Sequence, residues 1–279
     1  MLVGNTLAGY LGWTAKRMTP EALSRILSPD YAIARPPGDG PFPTALLFSG
    51  CDGVHDNMQR WADMLTHNGW ASIIVDSHTP RDYADNEWWR LICTGQALPG
   101  GERAGDVLVS LIDARKMDFV DPDRIALIGM SHGGWSIMDL LSLDASNRRP
   151  FNLRGVSRRE EREALAAVKR LVLVYPWCGL ANRARQTLWT RKVPTFFVLA
   201  KDDIIAPAEE CLKVAQALDA AGQPVDIKQF DGVTHGFDQQ NRSVLSPLVY
   251  DADATAEALR LTAGFLNAEG QPATAAPGG

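Results

Sequence analysis

Basic residues are in deficit: 28 Lys and Arg stand against 33 Asp and Glu, a net charge of -5 with a pI near 5.6. That balance leaves no footprint for a polyanion or an acidic membrane surface, so neither nucleic acid nor a membrane is an expected partner. Nowhere does the chain approach the roughly 18 to 20 uninterrupted apolar residues that a membrane span needs. Cysteine is sparse. Cys51, Cys93, Cys178 and Cys211 show no CxxC spacing, which argues against a zinc cluster and against a dense disulfide framework. Reduced thiols in a cytoplasmic protein are the simpler expectation. The phosphate cradles G-x-G-x-x-G and G-K-[ST] are missing too. The N-terminal "MLVGNTLAGYLGWTAKRM" lacks the positively charged start of a secretory signal, and its glycines interrupt the apolar part. Histidine numbers only five, so few side chains can serve as a general base near neutral pH.

What is abundant is apolar sequence, 46% of 279 residues, enough for one sizeable core. Short runs that are apolar throughout, at 44–50, 71–77, 124–130, 170–177, 195–202 and 225–232, suit strands covered on both faces. Between them lie helix-like segments. "MQRWADMLTHNG" places Trp61, Met64 and Leu65 on one side, and "RAGDVLVSLIDARKM" repeats the pattern with Val107, Leu108, Leu111 and Ile112. "PAEECLKVAQALDAAG" starts on Pro207, carries acids in its first turn and stops on Gly222. A last helix falls in "ATAEALRLTAGFLNAEG". Alternation of strand and helix predicts a doubly wound, mostly parallel α/β sheet with helices on both faces. We divide the chain into a helical N-terminal extension (1–30), a single α/β domain (31–268) and a tail (269–279) whose composition is that of a disordered segment. An arginine-rich insertion at about 144–170 interrupts the rhythm. It reads either as a lid over a site or as a solvated helix with its connecting loop.

The stretch "RIALIGMSHGGWSIMDLL" ends an apolar strand in Gly129-Met130-Ser131-His132-Gly133, a G-x-S-x-G pattern before a helix-compatible segment. A serine hydroxyl attacks a carbonyl only when it is exposed, next to a general base, and beside donors for the oxyanion. A tight strand-to-helix corner supplies the exposure, its glycines permit the close approach, and the helix N-terminus adds its dipole. Ser131 is therefore the candidate nucleophile. A glycine-rich turn that merely packs is the competing reading.

The base and its orienting acid should follow in the order Ser, Asp, His. Of the histidines only His235, in "DGVTHGFD", follows the last strand. His132 adjoins the serine and offers its backbone N–H, and His67 sits at the surface end of a helix. His55 and His78 lie on loops at the sheet edge where sites collect. "VLAKDDIIAP" holds both Asp202 and Asp203 at a strand end, and spacing does not choose between them.

Four segments in chain order, "LLFSGCDGVHDNMQRWADMLTHNGWASIIVDSHTPRDY", "DPDRIALIGMSHGG", "VLAKDDIIAPAEEC" and "FDGVTHGF", resemble the dienelactone hydrolase family of α/β hydrolases, from about Ala45 to Phe237. The resemblance implies an α/β-hydrolase fold and a Ser-Asp-His triad. Its G-x-x-D-x-x-x-P-A frame falls on Ala200, Asp203, Pro207 and Ala208, selecting Asp203 as the acid. It also implies oxyanion donors at the N–H groups of His132 and Cys51. Departures from the family pattern are a serine where the archetype has cysteine, Ser49-Gly50-Cys51 where serine members have His-Gly, and Gln239 where the archetype has an arginine for the lactone carboxylate. Arg81 lies near another such place. "DYADNEWWRLICTG" offers Trp88, Trp89 and Arg90 to a planar acyl group or a carboxylate, though ordinary packing explains tryptophans equally well. His78 joins them as a pocket candidate.

The expected function is a serine hydrolase that cleaves a small ester or lactone through an acyl-serine, with no metal or organic cofactor, in a possible homodimer. A prolyl-oligopeptidase-like peptidase or acyltransferase is the rival within catalysis, and a non-catalytic binding protein on the same fold is the rival outside it.

Overall fold

The structure, a computed structural model, describes residues 8, 9, 11–83, 88–241 and 248–268. Its described strands are β1 (Ala32–Ala34), β2 (Phe42–Phe48), β3 (Ala71–Val75), β4 (Val120–Met130), β5 (Val168–Val174), β6 (Thr195–Ala200) and β7 (Val225–Phe230). They form one sheet in the order β1-β3-β2-β4-β5-β6-β7. All neighbouring pairs are parallel except β1, which runs antiparallel to β3 at one edge. Order reverses beside β2, so the chain crosses first to one side of the sheet and then to the other, the crevice-forming arrangement of open α/β sheets. The six apolar runs are the parallel strands; in β2 to β6 the lack of alternation follows from burial on both faces, while β7 is the edge strand and stays largely open to solvent. In β2, Leu46 and Phe48 face one apolar layer and Ala45 and Leu47 the other.

The first layer holds α1 (Pro20–Leu27), α4 (Gly100–Ala114), α5 (His132–Ala145), α6 (Arg158–Ala166) and α7 (Ala208–Ala220). The second holds α2 (Asp56–His67) and α8 (Ala252–Asn267). A short helix, α3 (Trp88–Cys93), follows β3. Each helix turns an apolar stripe inward: Val107, Leu108, Leu111 and Ile112 of α4 are all buried, as are Trp61 and Leu65 of α2. Thr19 caps α1 through its hydroxyl, with Pro20 in the first turn where a missing N–H costs nothing. Leu23 and Leu27 then seal α1 into the main core. The β1 strand, too short to show a period, has no counterpart among the apolar runs.

The arginine-rich insertion lies along the flank of the helix layer. Its α6 packs against α4 and β5, and Asn152 donates to Asp106 at 3.2 Å. Leu153 bridges to Met18 of the N-terminal segment. Beside it runs a groove of about 620 Å³ lined by Arg17, Arg148, Arg149, Arg154 and Arg158 among others, none of them a candidate of the Ser131 site. The tail expected to be disordered, 269–279, lies outside the described residues.

The cysteines correct an expectation. They are not reduced thiols: Cys51 pairs with Cys93, and Cys178 with Cys211. Separations of 42 and 33 residues carry no motif, because the partners meet only when the sheet gathers the carboxyl ends of β2 and β5 beside α3 and α7. Among the described residues no helix is long and apolar enough to cross a membrane.

Candidate active site

At the end of β4 the backbone turns sharply into α5, with Ser131 at the corner in φ 50°, ψ -111°. A side chain rarely occupies that region, and a strained residue of this kind persists only when its surroundings impose it. Two glycines do so. A Cβ on Gly129 would stand 2.5 Å from the Gly134 nitrogen, and one on Gly133 would stand 2.2 Å from the Phe48 carbonyl oxygen. Strand β2, strand β4 and helix α5 therefore approach more closely than any side chain at these positions allows. The Ser131 N–H donates to the Val174 carbonyl at 2.9 Å, tying the corner to β5.

Ser131 Oγ lies 2.9 Å from His235 Nε2, and His235 Nδ1 lies 2.6 Å from Asp203 Oδ2. With Asp203 accepting at Nδ1, the ring carries its proton there and Nε2 is left to accept from the serine hydroxyl. The other oxygen of Asp203 accepts from the N–H groups of Ile205 and Ala206 at 2.9 and 2.7 Å. Of the two adjacent acids, Asp203 is buried and faces His235, while Asp202 points to solvent. The three residues come from loops after β4, β6 and β7, all at one edge of the sheet.

The loop after β2 passes beside the serine: a Cβ on Gly50 would lie 3.8 Å from Ser131 Cβ. Cys51, the next residue, is anchored twice, through its disulfide to Cys93 and through its carbonyl, which lies 3.2 Å from His78 Nε2. Its side chain is thus a tether to α3. His78 itself is 2% exposed. Burial, reinforced by the Arg103 charge, pushes its pKa down to about 3. The neutral ring supports the loop from below, so His78 does not line a pocket. His132, whose N–H opens α5, is also buried, and burial followed by Arg103 holds its ring well below the usual histidine range.

The remaining candidates divide. Arg81 is drawn inward, donating to Asp106 at 2.8 Å and to the Ser77 carbonyl at 2.7 Å, so its guanidinium serves the fold. Trp88 and Trp89 stand 38% and 44% exposed on α3, Trp88 against Tyr83 and Trp89 under the guanidinium of Arg90. Gln239 donates to Asp52, which also pairs with His55.

Two groups escape a reading of the sequence. One is a buried cluster behind His235. Asp238 accepts from Tyr175 at 2.5 Å and from Trp61 at 2.7 Å, and the Tyr175 ring packs edge-on against His235 at 4.8 Å. The second is Arg103 on α4, 0% exposed beneath the β2 loop. An arginine near a helix start and an aspartate three residues beyond a histidine carry no local mark of burial.

A family model for the dienelactone hydrolase family matches residues 30–270. The chain belongs to that family. Its relatives include the carboxymethylenebutenolidase homolog of Homo sapiens, 21% identical over 193 residues and 68% of each chain. The acylamino-acid-releasing enzyme of Arabidopsis thaliana is 22% identical over 70% of this chain. The match spans only 27% of that enzyme's length, and 37% of the length of an Aquifex aeolicus relative that is 33% identical over 90 residues. Among solved structures, Thermogutta terrifontis esterase 2 superposes with a TM-score of 0.63 at 17% identity, covering 85% of this chain and 87% of its own. A dienelactone hydrolase-like promiscuous phosphotriesterase from metagenomic libraries gives 0.58 at 15% identity, covering 85% and 97%. These likenesses place the dienelactone hydrolase family chain on the α/β-hydrolase fold.

Proposed function

We propose that this member of the dienelactone hydrolase family cleaves a small carboxylic ester or lactone through an acyl-serine intermediate. The observation that carries the reading is the unbroken hydrogen-bonded chain Ser131–His235–Asp203, at 2.9 and 2.6 Å, on a strained strand-to-helix corner. His235 Nε2 takes the Ser131 proton as Oγ bonds to the carbonyl carbon, and Asp203 steadies the imidazolium that forms. The N–H groups of Cys51 and His132 hold the oxyanion. Collapse of that intermediate expels the alcohol, which takes its proton from His235. Water then gives His235 a proton as it attacks the acyl carbon, and His235 passes that proton to Ser131 Oγ as the acyl–Oγ bond breaks and the acid leaves.

Substrate choice follows from what the rim offers. Arg81 is engaged by Asp106 and Gln239 by Asp52, so neither position presents an arginine to a substrate carboxylate. A planar acyl group resting against Trp88 and Trp89, with Arg90 stacked on Trp89, suits this rim. The two disulfides favour an oxidising compartment and remove the support that unpaired thiols lent to a cytoplasmic one. Amide cleavage is a second reading, favoured by the match to the acylamino-acid-releasing enzyme across 70% of this chain.

The decisive experiment compares p-nitrophenyl acetate and butyrate hydrolysis by the wild type and by Ser131→Ala. A fall of about three or more orders of magnitude is expected, the scale seen when a triad nucleophile is lost. Equal activity in both proteins, or none in the wild type, overturns the reading. Parallel assay of an acyl-amino-acid p-nitroanilide separates esterase from peptidase.

A further inference from the structure

Arg103 is a buried cation whose hydrogen-bond partners are all neutral. Its Nη1 donates to the Ser49 carbonyl at 2.8 Å and the Gly50 carbonyl at 3.4 Å, and lies 3.2 Å from His132 Nδ1. Its Nη2 reaches Ser49 Oγ at 3.2 Å, and its Nε reaches Ser77 Oγ at 3.1 Å. One oxygen of the nearby Asp106 accepts from both Arg81 and Asn152; Asp106, Asp76 and Asp52 attract Arg103 through space, and no Asp or Glu of the described residues forms an ion pair with it. A guanidinium placed only for stability is ordinarily matched to a carboxylate, because an uncompensated buried charge is costly. Burial lowers its pKa to about 10, which leaves it charged at neutral pH.

The partners it chooses are informative. In a trans peptide unit the C=O and the N–H point in opposite directions. Gly50 and Cys51 share one such unit, the described cis bond being Gly40-Pro41. With the Gly50 oxygen turned inward to Arg103, the Cys51 N–H is turned away from Arg103, in a loop whose Gly50 passes beside Ser131. The same nitrogen, Nη1, meets the ring of His132. Arginine has no acceptor, so His132 Nδ1 must accept, which fixes the neutral tautomer with its proton on Nε2.

We infer that Arg103 is the positioning residue of the oxyanion site: one guanidinium orients the peptide that supplies the Cys51 N–H and holds the residue that supplies the His132 N–H. It touches neither substrate nor Ser131. Its charge, which no carboxylate meets through a direct hydrogen bond, also polarises the Gly50–Cys51 peptide, strengthening that N–H as a donor when negative charge develops on the substrate oxygen. The inference rests on Ser131 being the acyl-transfer nucleophile.

The test uses the full chain with its disulfides intact and two variants, Arg103→Met, which keeps the length without charge or donors, and Arg103→Lys, which keeps the charge without the fork. For each, kcat and KM are measured on p-nitrophenyl acetate and on the matching thionoester, whose sulfur accepts N–H hydrogen bonds poorly. Thermal melts accompany the kinetics. Arg103→Met should lose about 100-fold or more in kcat on the ester, the scale of a lost oxyanion donor, with little change in KM. The thionoester rate should fall far less, so that the ester-to-thionoester ratio collapses. Arg103→Lys should regain part of both the ester rate and the ratio.

Equal loss on ester and thionoester, or an ester rate unchanged in Arg103→Met, overturns the inference. If Arg103→Met fails to fold, Arg103→Lys decides: a ratio below wild type supports the inference and a wild-type ratio overturns it. A wild type without esterase activity, or an active Ser131→Ala, instead overturns the reading of Ser131 and takes this inference with it. An active wild type, an inactive Ser131→Ala and an unchanged ratio in the Arg103 variants defeat the inference alone.

Discussion

The corner after β4 and the loop after β2 face each other across the serine, yet they are held in place by different means. The corner is shaped by residues within four positions of Ser131: Gly129 and Gly133 admit the neighbouring backbone, and the first turn of α5 follows at once. The β2 loop is shaped from a distance. Arg103 lies about fifty positions away on α4, His78 follows β3, and Cys93 ends α3. A position encoded locally fails by steric clash when one atom is added. A position encoded by remote groups loosens in stages as each support is withdrawn.

The sharpest break of the local half is Gly133→Ala. The new Cβ would sit 2.2 Å from the Phe48 carbonyl oxygen and 2.8 Å from that of Ser49, both backbone atoms that no rotamer change can move. Overpacking in a closed site costs about 1–3 kcal/mol and sometimes more. Here β2 and α5 must separate, so we expect the upper end and a melting temperature lower by roughly 6–12 °C, at about 2–4 °C per kcal/mol for a domain of this size. Esterase activity should vanish, since the shift falls between the serine and the β2 loop. Differential scanning calorimetry checks the first expectation and p-nitrophenyl acetate turnover the second. A variant that melts with the wild type and retains its rate would show that the corner does not depend on this contact.

The same division explains how much of the molecule is legible in its amino-acid sequence. Ser131 and His235, the proposed nucleophile and base, are legible because glycines stand at fixed offsets from the serine and only one histidine follows the last strand, whereas Asp203 is separated from Asp202 only by the family resemblance. Strands β2 to β6 are legible since burial on both faces leaves apolar runs in each, and the edge strand β7 by its place in the strand-helix alternation. Arg103 is not, because its window reads as an amphipathic helix whose charged residue belongs in water, and only the stacking of α4 under β2 reverses that. Asp238 and Tyr175 are hidden for the same reason: a buried hydrogen-bonded pair separated by 63 positions leaves no period. Arg81 misleads in the opposite sense, since proximity in sequence to the site conceals its inward partner, Asp106.

Removing one remote support should do less than Gly133→Ala and do it more selectively. Cys51→Ser with Cys93→Ser opens a loop of 42 residues, and a disulfide of that span is worth about 2–4 kcal/mol when native geometry is otherwise kept. The expected result is a fold that persists at 25 °C, a lower melting temperature, and a reduced kcat, because the β2 loop keeps the Arg103 bonds to Ser49 and Gly50 and the His78 contact at position 51 but loses the tether to α3. Treatment of the wild type with tris(2-carboxyethyl)phosphine, with thiol counting to confirm reduction, should move both quantities the same way. An unchanged melting temperature and kcat after complete reduction would show that this tether supports nothing that the other two contacts do not.

The smallest effect tests His78, and its sign can be worked out. Burial lowers the pKa of His78 from 6.5 to about 3 in the folded chain. Between those values the unfolded chain binds a proton that the folded chain refuses. Stability from this group is therefore complete above about pH 6.5 and declines as the pH falls toward 3, by at most roughly 1.4 kcal/mol per unit. His132 acts in the same direction. Asp139 and Glu102, both raised to about 7 by burial, act in the opposite one, since their folded forms keep protons that the unfolded chain releases. The net slope of the wild type mixes these terms, so the informative quantity is a difference. His78→Asn retains a donor for the Cys51 carbonyl and cannot be protonated. Its melting temperature should fall less than that of the wild type between pH 7 and pH 5, measured in buffers of equal ionic strength. Parallel falls would mean that His78 accepts its proton without leaving the Cys51 carbonyl, and that the loop takes its position from Arg103 and the disulfide alone.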